Sequence, residues 1–245
     1  MHAPVFGEFL GTLVLILIGD GVCANTALNK SKGGNNGAAY LMVATAWGFG
    51  VLFGVTASLS VGGFGHLNSA VTFALALAGK LPWAQVPALV AAQFAGAFVG
   101  AAMVWLVYLA HWSETPDQAA KLGIFCTIPA IRNLPLNALT EVIATCLLIV
   151  VGFGFGAKSL SATGLPAGFG PYLWGVLVWA IGMSLGGPTG WAMNPPRDLG
   201  PRIAHAVLPI AGKGGSDWGY ALVPVVGPMI GAGIGAVICK ACGIL

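Results

Sequence analysis

The sequence predicts an all-α membrane protein, in which six transmembrane helices and two re-entrant half-helices form two inverted repeats. The first observation is the composition: 57% of the 245 residues are hydrophobic and only 7% are charged, whereas soluble domains carry about 25% charged residues. The second is the presence of apolar segments of two lengths, and the third is a set of motifs that occurs twice. The net charge of +3 is spread over loops without a basic cluster, so we expect no nucleic-acid partner.

Six apolar segments are interpreted as membrane spans, because crossing a bilayer takes about 20 residues of helix. They cover residues 4–27, 38–60, 83–110, 138–156, 172–185 and 220–239. A further apolar segment, 66–81, is too short to cross and follows the glycine-rich stretch 62–65. Its length is typical of a half-helix that enters the membrane and turns back. The longest polar stretch, 111–137, is predicted to be a connecting loop.

A second half-helix is predicted to begin at Asn194, within the stretch LGGPTGWAMNPPRDLGPR. Asn is among the best residues for capping a helix N-terminus, and Pro195 suits the first helical position, where a backbone N–H would have no partner within the helix. Pro196 also falls in this first turn. Arg197 comes three residues after the cap, where its charge opposes the positive end of the helix dipole. A purely structural arginine is poorly placed there, so we expect a functional role.

The motifs of the first half recur in the second. The matching pairs are Glu8 and Glu141, Trp47 and Trp174, and Asn68 and Asn194, at offsets of 133, 127 and 126 residues. We therefore expect a single domain over residues 1–245, with repeat halves of about 1–125 and 126–245. Because each half contains three crossings, the halves must be inverted in the membrane, and inverted repeats place their broken helices near the bilayer midplane. Asn68 and Asn194 are expected to meet there.

Several groups have more than one interpretation. Glu8 and Glu141 lie inside spans, where carboxyl groups are functional candidates by default; their matched positions favour a symmetric structural role, and the alternative is proton coupling. His66 is interpreted as a hydrogen-bonded lining residue rather than a titrating switch. The CxxC of Cys239 and Cys242 has no second ligand pair, so we expect no metal site and no cofactor.

The paired Asn-containing loops, the Glu-led first span of each half and the stretch AMNPPRDLGPR resemble the major intrinsic protein family of water and glycerol channels. The resemblance covers essentially the whole chain, and the adjacent Arg197 and Asp198 resemble the glycerol-conducting branch. The central motifs are Asn68, Ser69 and Ala70 in the first loop, and Asn194, Pro195 and Pro196 in the second. Two positions depart from the family pattern, since Ser69 stands where Pro is usual and Pro196 where Ala is usual. We expect the first half-helix to persist despite Ser69.

The resemblance implies roles for the loop residues. Each Asn is expected to cap its own half-helix through the side-chain oxygen and to turn its amide toward the lumen. Glu8 and Glu141 are implied to hold the loop amides. The carbonyl groups implied to line the pore are those of Phe64, Gly65, His66, Gly190, Trp191 and Ala192. The opposed positive ends of the half-helices would repel protons and cations.

By the same resemblance, the narrowest ring, or selectivity filter, consists of Trp47, Gly182, Trp191 and Arg197. Arg197 is expected to donate hydrogen bonds to hydroxyl groups, while the two indoles form a flat apolar wall for a carbon backbone. Gly182 is expected to leave a corner of the ring free, where water-selective relatives place His. Trp191 replaces the Phe or Tyr that is more usual in polyol channels.

The expected function is passive passage of small uncharged solutes, glycerol and similar polyols first, with some water. One alternative is a channel mainly for water or another compact neutral solute, such as urea, hydrogen peroxide or a small acid. The other is a secondary transporter that uses Glu8 and Glu141 as proton carriers. An intramembrane hydrolase based on Asp20 or Ser69 is disfavoured, because neither residue lies in the GxGD or GxSG setting such enzymes use, and Asp20 is placed at the membrane edge without a role. The resemblance also implies a homotetramer in the lipid bilayer of the plasma membrane, with no enzymatic activity.

Overall fold

The computed structural model describes residues 3–34, 37–160 and 162–245, and within them all regular secondary structure is helical. The helices in chain order are α1 (Ala3–Ala27), α2 (Ala39–Ser60), α3 (Ser69–Leu77), α4 (Val86–Val107), α5 (Gln118–Phe125), α6 (Leu134–Gly154), α7 (Phe169–Leu185), α8 (Pro195–Val207) and α9 (Val223–Ala241). A single 3-10 turn among these residues, Trp83–Gln85, leads into α4.

Six of these helices are membrane spans, namely α1, α2, α4, α6, α7 and α9. Five have both the length and the hydropathy of a span, counting Trp83–Val107 as one segment. Helix α7 has 17 residues, which at 1.5 Å per residue gives about 25 Å, close to the ~30 Å hydrocarbon core of a bilayer. Helices α3 and α8, with 9 and 13 residues, are too short to cross. The prediction of six spans and two half-helices is confirmed.

The polar stretch 111–137 differs from the prediction, because it contains α5 and the start of α6. Asp117 caps α5 by accepting hydrogen bonds from the N–H groups two and three residues further on, at 2.8 and 3.0 Å. Asn133 caps α6 by accepting from the N–H of Leu136 at 3.3 Å. Helix α6 therefore begins at Leu134, before the predicted start of the span. A helix of 8 residues such as α5 is too short to show a clear hydrophobic period.

The two repeats interlock through their half-helices. Helix α3 of the first half packs against α9 of the second, and α8 of the second half packs against α4 of the first. Helices α2 and α7 also pack against each other across the boundary between the halves. Each half-helix therefore packs against a span of the other repeat, and both repeats contribute to the centre of the molecule.

Glycine residues allow the spans within each half to approach closely. A Cβ atom built on Gly96 of α4 would overlap the carbonyl oxygen of Phe9 in α1. In the second half, a Cβ atom on Gly231 of α9 would overlap the carbonyl oxygen of Val142 in α6. These glycines thus serve helix packing, as small residues commonly do in membranes.

Candidate functional site

The segment before α3 is held by Glu8, which is fully buried in α1. Its carboxylate accepts hydrogen bonds from the backbone N–H groups of His66 and Leu67, at 2.8 and 2.7 Å, and from the side chain of Gln93 at 2.7 Å. Leu67 has a φ of 53°, a left-handed conformation that costs a non-glycine residue roughly 1–2 kcal/mol. Hydrogen bonds to a charged group contribute about 1.5–3 kcal/mol each, so the carboxylate offsets this cost.

The segment before α8 uses the same arrangement around Glu141, which lies buried in α6. Its carboxylate accepts hydrogen bonds from the N–H groups of Ala192 and Met193, at 3.0 and 2.8 Å, and from the hydroxyl of Thr189 at 2.6 Å. Met193 has a φ of 48°. In both halves, the acid takes the two backbone amides that immediately precede the Asn of the loop.

The two Asn side chains join the loops at the centre of the molecule. Asn68 donates from Nδ2 to the carbonyl oxygen of Met193, and Asn194 donates from Nδ2 to the carbonyl oxygen of Leu67, both at 2.8 Å. Each Asn therefore bonds to the residue that precedes the other one. The N-termini of α3 and α8 face each other across this reciprocal pair of hydrogen bonds, which we call the Asn latch.

The two Asn residues differ in how they cap their half-helices. Asn68 accepts a hydrogen bond at Oδ1 from the N–H of Ala70 at 2.8 Å. Oδ1 of Asn194 is buried and accepts no hydrogen bond from any residue that the structure describes. The equivalent donor is missing because Pro196 has no N–H, and the N–H of Arg197 donates to the backbone carbonyl of Asn194 at 3.1 Å. The prediction of a side-chain cap is correct for Asn68 and wrong for Asn194.

The remaining motif residues are the first residues of the two half-helices. Ser69 begins α3 and Pro195 begins α8, and both are buried. The half-helix after Asn68 persists with serine at this position, as expected. Proline at the start of α8 takes the place where its missing N–H costs no helical hydrogen bond.

Two cavities run through the centre of the molecule and meet at the Asn latch. The first, which we call the His66 cavity, is lined by Val55, Gly65, His66, Leu67, Val71 and Trp174. The second, which we call the Arg197 cavity, is lined by Trp47, Trp191, Ala192, Met193 and Arg197. Both also share the side chains of Leu15, Val51, Leu148, Val178 and the two Asn residues. Four of these six shared residues are aliphatic, so the lumen has an apolar side along its centre.

The carbonyl groups predicted to face the pore fall into two sets. Gly65, His66, Trp191 and Ala192 are lining residues of the two cavities. Phe64 and Gly190 lie outside both: the Phe64 ring stacks on His66 with centroids 5.5 Å apart, and a Cβ atom on Gly190 would lie 3.3 Å from Thr127. Nδ1 of His66 lies 3.1 Å from the hydroxyl of Thr72. The His66 side chain is therefore a hydrogen-bonded lining residue of the His66 cavity, as expected.

A cluster of aromatic rings surrounds Arg197. The guanidinium carbon Cζ lies 3.9 Å from the ring centroid of Trp47, within the range of a cation–π contact. Trp191 lines the same cavity and meets the ring of Tyr40 edge-on, with centroids 5.8 Å apart. The hydroxyl of Tyr40 donates to the carbonyl of Gly182 at 2.8 Å. One cavity thus combines a cation with two indoles.

Gly182 does not leave a free corner in this ring, contrary to the expectation. A Cβ atom built on Gly182 would lie 2.8 Å from Cε2 and Cζ2 of Trp191. One turn further along α7, a Cβ atom on Gly186 would also overlap this indole. Because both positions lack a side chain, the Trp191 indole occupies the space itself. The lack of a side chain at Gly182 therefore leaves the space against α7 in which the Trp191 indole packs.

Asp198 points away from the cavities, unlike its neighbour Arg197. It accepts hydrogen bonds from the N–H and hydroxyl of Thr127 at 2.8 and 2.6 Å, and it forms a buried ion pair with Arg202 at 2.9 Å. Sequence reasoning missed Arg202, although four-residue spacing on one helix is a recognisable signal for such a pair. It also missed Gln93, a polar residue within a span.

Asp20, predicted to lie at the membrane edge without a role, has a side chain that is fully buried in α1. A Cβ atom on the adjacent Gly19 would lie 2.5 Å from the indole of Trp47. Helix α1 therefore brings Asp20 to the level of the aromatic cluster around Arg197.

Inverted repeats, two half-helices that meet at paired Asn residues, and a lumen that passes between them define a membrane channel. The chain belongs to the major intrinsic protein family, because the sequence model of the family described as Major intrinsic protein matches residues 2–239. It is an integral membrane protein that crosses the bilayer several times.

Individual relatives are similar over almost the whole chain. The probable glycerol uptake facilitator protein of Thermotoga maritima is 52% identical over 229 residues, which cover 94% of each chain. The glycerol uptake facilitator protein of Bacillus subtilis is 48% identical over 238 residues, which cover 96% of this chain and 83% of the relative. Among solved structures, the aquaglyceroporin from Plasmodium falciparum matches with a TM-score of 0.84 and 28% identity over 99% of both chains.

Proposed function

We propose that this protein is a passive channel for glycerol and similar short polyols, through which some water also passes. The observation that carries the proposal is the two-sided Arg197 cavity, in which the indoles of Trp47 and Trp191 stand beside the Arg197 guanidinium. A short polyol has the same two sides, since one edge is carbon and the other is hydroxyl. Similarity to proteins named glycerol uptake facilitators supports this choice of solute.

We assign the constriction to Trp47, Trp191 and Arg197, with Gly182 as the seat of the Trp191 indole. Nη1 of Arg197 is buried in the wall, so we assign the remaining guanidinium donors to the lumen, where they can meet hydroxyl oxygens. The two indoles contact the carbon edge of the solute. A bulkier sugar cannot place its hydroxyl groups on one side only, and it therefore loses hydrogen bonds to water without replacement.

Beyond the constriction, the loops supply the partners that a hydroxyl group needs. We assign the acceptors to the carbonyls of Gly65, His66, Trp191 and Ala192, with those of Phe64 and Gly190 at the outer ends. Each Asn spends one amide hydrogen on the latch, so its second hydrogen is available as a donor. A passing solute exchanges water for these groups at little net cost.

The same centre excludes ions. Helices α3 and α8 both direct their N-termini toward the Asn latch, and the N-terminus of a helix carries a partial positive charge. A proton or cation would approach two such ends, while any ion would also lose its hydration in a lumen lined by aliphatic residues. Passage of neutral solutes requires no energy source.

A proton-coupled transporter is disfavoured by the hydrogen bonds of the loop acids. Glu8 and Glu141 are buried and bonded to backbone amides through both carboxylate oxygens. If either carboxylate left these amides to carry a proton, the hydrogen bonds that hold its loop would break. This arrangement favours a channel over a proton-coupled transporter. Membership of a channel family supports the further inference that the protein has no enzymatic activity.

We further infer that the protein functions as a homotetramer in the plasma membrane, with one pore in each subunit. Membership of the family supports this assembly. The many exposed apolar side chains on the outer surfaces of the spans, such as Phe53, Leu106 and Val237, suit contact with lipid and with neighbouring subunits.

The proposal is tested by stopped-flow measurement of solute entry into proteoliposomes, with protein-free vesicles as the control. Glycerol and other short linear polyols should enter rapidly, and glucose should remain outside. Rapid passage of urea, hydrogen peroxide or small acids without glycerol would instead identify a channel for compact solutes. Accumulation of solute against its gradient, driven by a pH difference, would contradict a passive channel.

A further inference from the structure

We propose that Asp20 is a positioning residue of the constriction, which acts as the counter-charge of Arg197 through water held in the wall of the pore. The proposal rests on the proposed place of Arg197 at the constriction. It assigns a role to a carboxyl group that takes no part in the loop scaffold. The arginine would then offer donors to neutral solutes while its charge is largely compensated.

The first observation is the isolation of Asp20 from protein donors. The side chain is fully buried, and neither carboxyl oxygen accepts a hydrogen bond from the residues that the structure describes. This differs from Glu8 and Glu141, the other two acids buried in α1 and α6, whose oxygens are bonded to loop amides. Buried polar atoms without a partner in the protein commonly bind ordered water.

The second observation is a hydrogen-bond donor of Arg197 that lacks an acceptor. Its Nη1 atom is buried and has no acceptor among the described residues. The Trp47 indole connects the two regions, since the Arg197 guanidinium lies over its ring and Gly19, the residue before Asp20 in α1, packs against it. The acceptor without a donor and the donor without an acceptor therefore belong to the same layer of the molecule.

The charges nearby identify Arg197 as the partner of Asp20. Among the described residues, Arg197 and Asp198 are the charged groups close enough to act on the Asp20 carboxyl group, and of the two only Arg197 can donate a hydrogen bond to it. Asp198 is already bonded to Thr127 and Arg202. Within the described residues, no nitrogen of Arg197 lies within 4.0 Å of a carboxyl oxygen of Asp20. The two groups therefore make no direct ion pair, and a water between them can bond to both.

The third observation is that Asp20 and Arg197 occur together at one end of the lumen, and that the equivalent positions of the other repeat carry neither an acid nor an arginine. The offset of 133 residues that relates Glu8 to Glu141 places Phe153 at the position of Asp20, and it places Gly152, which packs against Trp174, at the position of Gly19. The offset of 126 residues between the Asn residues places Val71 at the position of Arg197. The cavity lined by Val71 therefore has neither the cation nor the acid. A structural carboxylate required by the fold would have no reason to follow the arginine.

The consequence concerns the charge that a solute meets. An uncompensated guanidinium would attract small anions into the narrowest part of the lumen, where they would compete with glycerol. Asp20 reduces this attraction and leaves the geometry of the hydrogen-bond donors unchanged. The bridge also restricts the guanidinium, which the described protein otherwise holds only through the Trp47 ring.

The test compares wild type, Asp20→Asn, Arg197→Leu and the double variant, with the full chain in proteoliposomes. Nitrate is the probe. In Asp20→Asn, nitrate should inhibit glycerol entry at a concentration roughly tenfold lower than in wild type, the order expected when one charge several ångströms away is removed. The double variant should lose this sensitivity. Equal nitrate sensitivity of wild type and Asp20→Asn would overturn the proposal.

Thermal unfolding in detergent provides a second readout that needs no permeant solute. If the two groups are coupled, the double variant should unfold no lower than the less stable single variant, because neither buried charge is left alone. Asp20→Asn combined with Arg132→Gln is the control and should be additive, since Arg132 pairs with Asp217 at the surface. Additive effects of Asp20→Asn and Arg197→Leu would overturn the coupling.

If Asp20→Asn does not fold, recovery of folded protein in the double variant supports the pairing, and failure to recover it contradicts the pairing. A wild type that conducts no glycerol would overturn the proposed function, while the unfolding measurements would still decide whether Asp20 and Arg197 are coupled.

Discussion

The loops before α3 and α8 share one hydrogen-bond scheme but line the lumen with different chemistry. In both, a buried Glu holds two backbone amides and an Asn bonds to the opposite loop. The scheme depends on backbone groups and on one acid for each loop. The other side chains can therefore differ, and α8 carries Arg197 where α3 carries Val71. A shared scaffold of this kind separates the architecture of the pore from its selectivity.

The largest expected effect comes from breaking the shared scaffold. Glu8→Gln and Glu141→Gln should each destabilise the protein by about 3 kcal/mol, because a buried charged acceptor is lost and an amide N–H is turned toward a backbone N–H. The measurement is the unfolding temperature in detergent, together with the yield of monodisperse protein. Glu114→Gln, at an exposed acid paired with Lys30, is the control and should leave both unchanged. Gln variants that fold normally but lose a pH-dependent flux would support proton coupling instead.

The next prediction sharpens the difference between Arg197 and Val71. Arg197→Val should make the two cavities alike and remove guanidinium N–H donors to the solute hydroxyls, worth about 1–3 kcal/mol, which corresponds to a loss of roughly 5- to 150-fold in discrimination between glycerol and larger polyols. Some cation or proton leak should also appear. Val71→Thr is the matched control and should preserve the solute ranking. Unchanged ranking and conductance in Arg197→Val would show that this side chain does not line the constriction.

The third prediction concerns the seat of Trp191. Gly182→His should force the indole from α7 into the Arg197 cavity, because even a Cβ atom at this position lies 2.8 Å from the ring. Glycerol entry should fall by about tenfold, the cost of one or two lost contacts, and water entry should fall much less. Gly170→His is the control, since no described atom lies within 4 Å of its Cβ position. Equal loss of both fluxes, or no loss, would contradict this arrangement.

The smallest effect is expected at the helix caps. Pro196→Ala supplies the N–H that Asn194 lacks, a gain of about 1 kcal/mol, but it also gives up the rigidity of proline, which is worth about 0.4–1 kcal/mol. A net stabilisation of about 0.5 kcal/mol or less should result. Ala70→Pro in the first loop removes the corresponding cap and should destabilise by about 1 kcal/mol. Thermal unfolding of both variants in parallel checks the contrast, and a destabilising Pro196→Ala would refute it.

Most of the architecture was predictable because the repeat is visible in residue types. The pairs Glu8 and Glu141, and Asn68 and Asn194, indicated two inverted halves that meet at the centre, and the apolar segments set the number of spans. Helix α5 was not predictable, since its 8 residues lie in a polar stretch and depend on Asp117 as a cap. Local signals of this kind are weak when the hydrophobic period is short.

The arrangement of side chains around Arg197 could not be predicted from the sequence, because it depends on how distant residues pack in three dimensions. Sequence reasoning treated Gly182 as open space, but a missing side chain can be filled by any neighbour, and here Trp191 fills it. The missing cap at Asn194 followed from Pro196 and could have been derived, because proline lacks the N–H that the cap needs. Asp20 carried a signal as a carboxyl group inside a span, although its proximity to Trp47 and Arg197 depends on how α1 and α2 pack.

The packing of α3 against α9 has a consequence for biosynthesis. Val223, the first residue of α9, comes 146 residues after Leu77, the last residue of α3. At a synthesis rate of about 5–20 residues per second, the ribosome takes roughly 7–30 s to make this intervening stretch. Throughout that time α3 lacks its packing partner α9, and until Asn194 is synthesised it also lacks the second half of the Asn latch. A nascent chain stalled before α9 should therefore expose α3 to protease, and release of the complete chain should protect it.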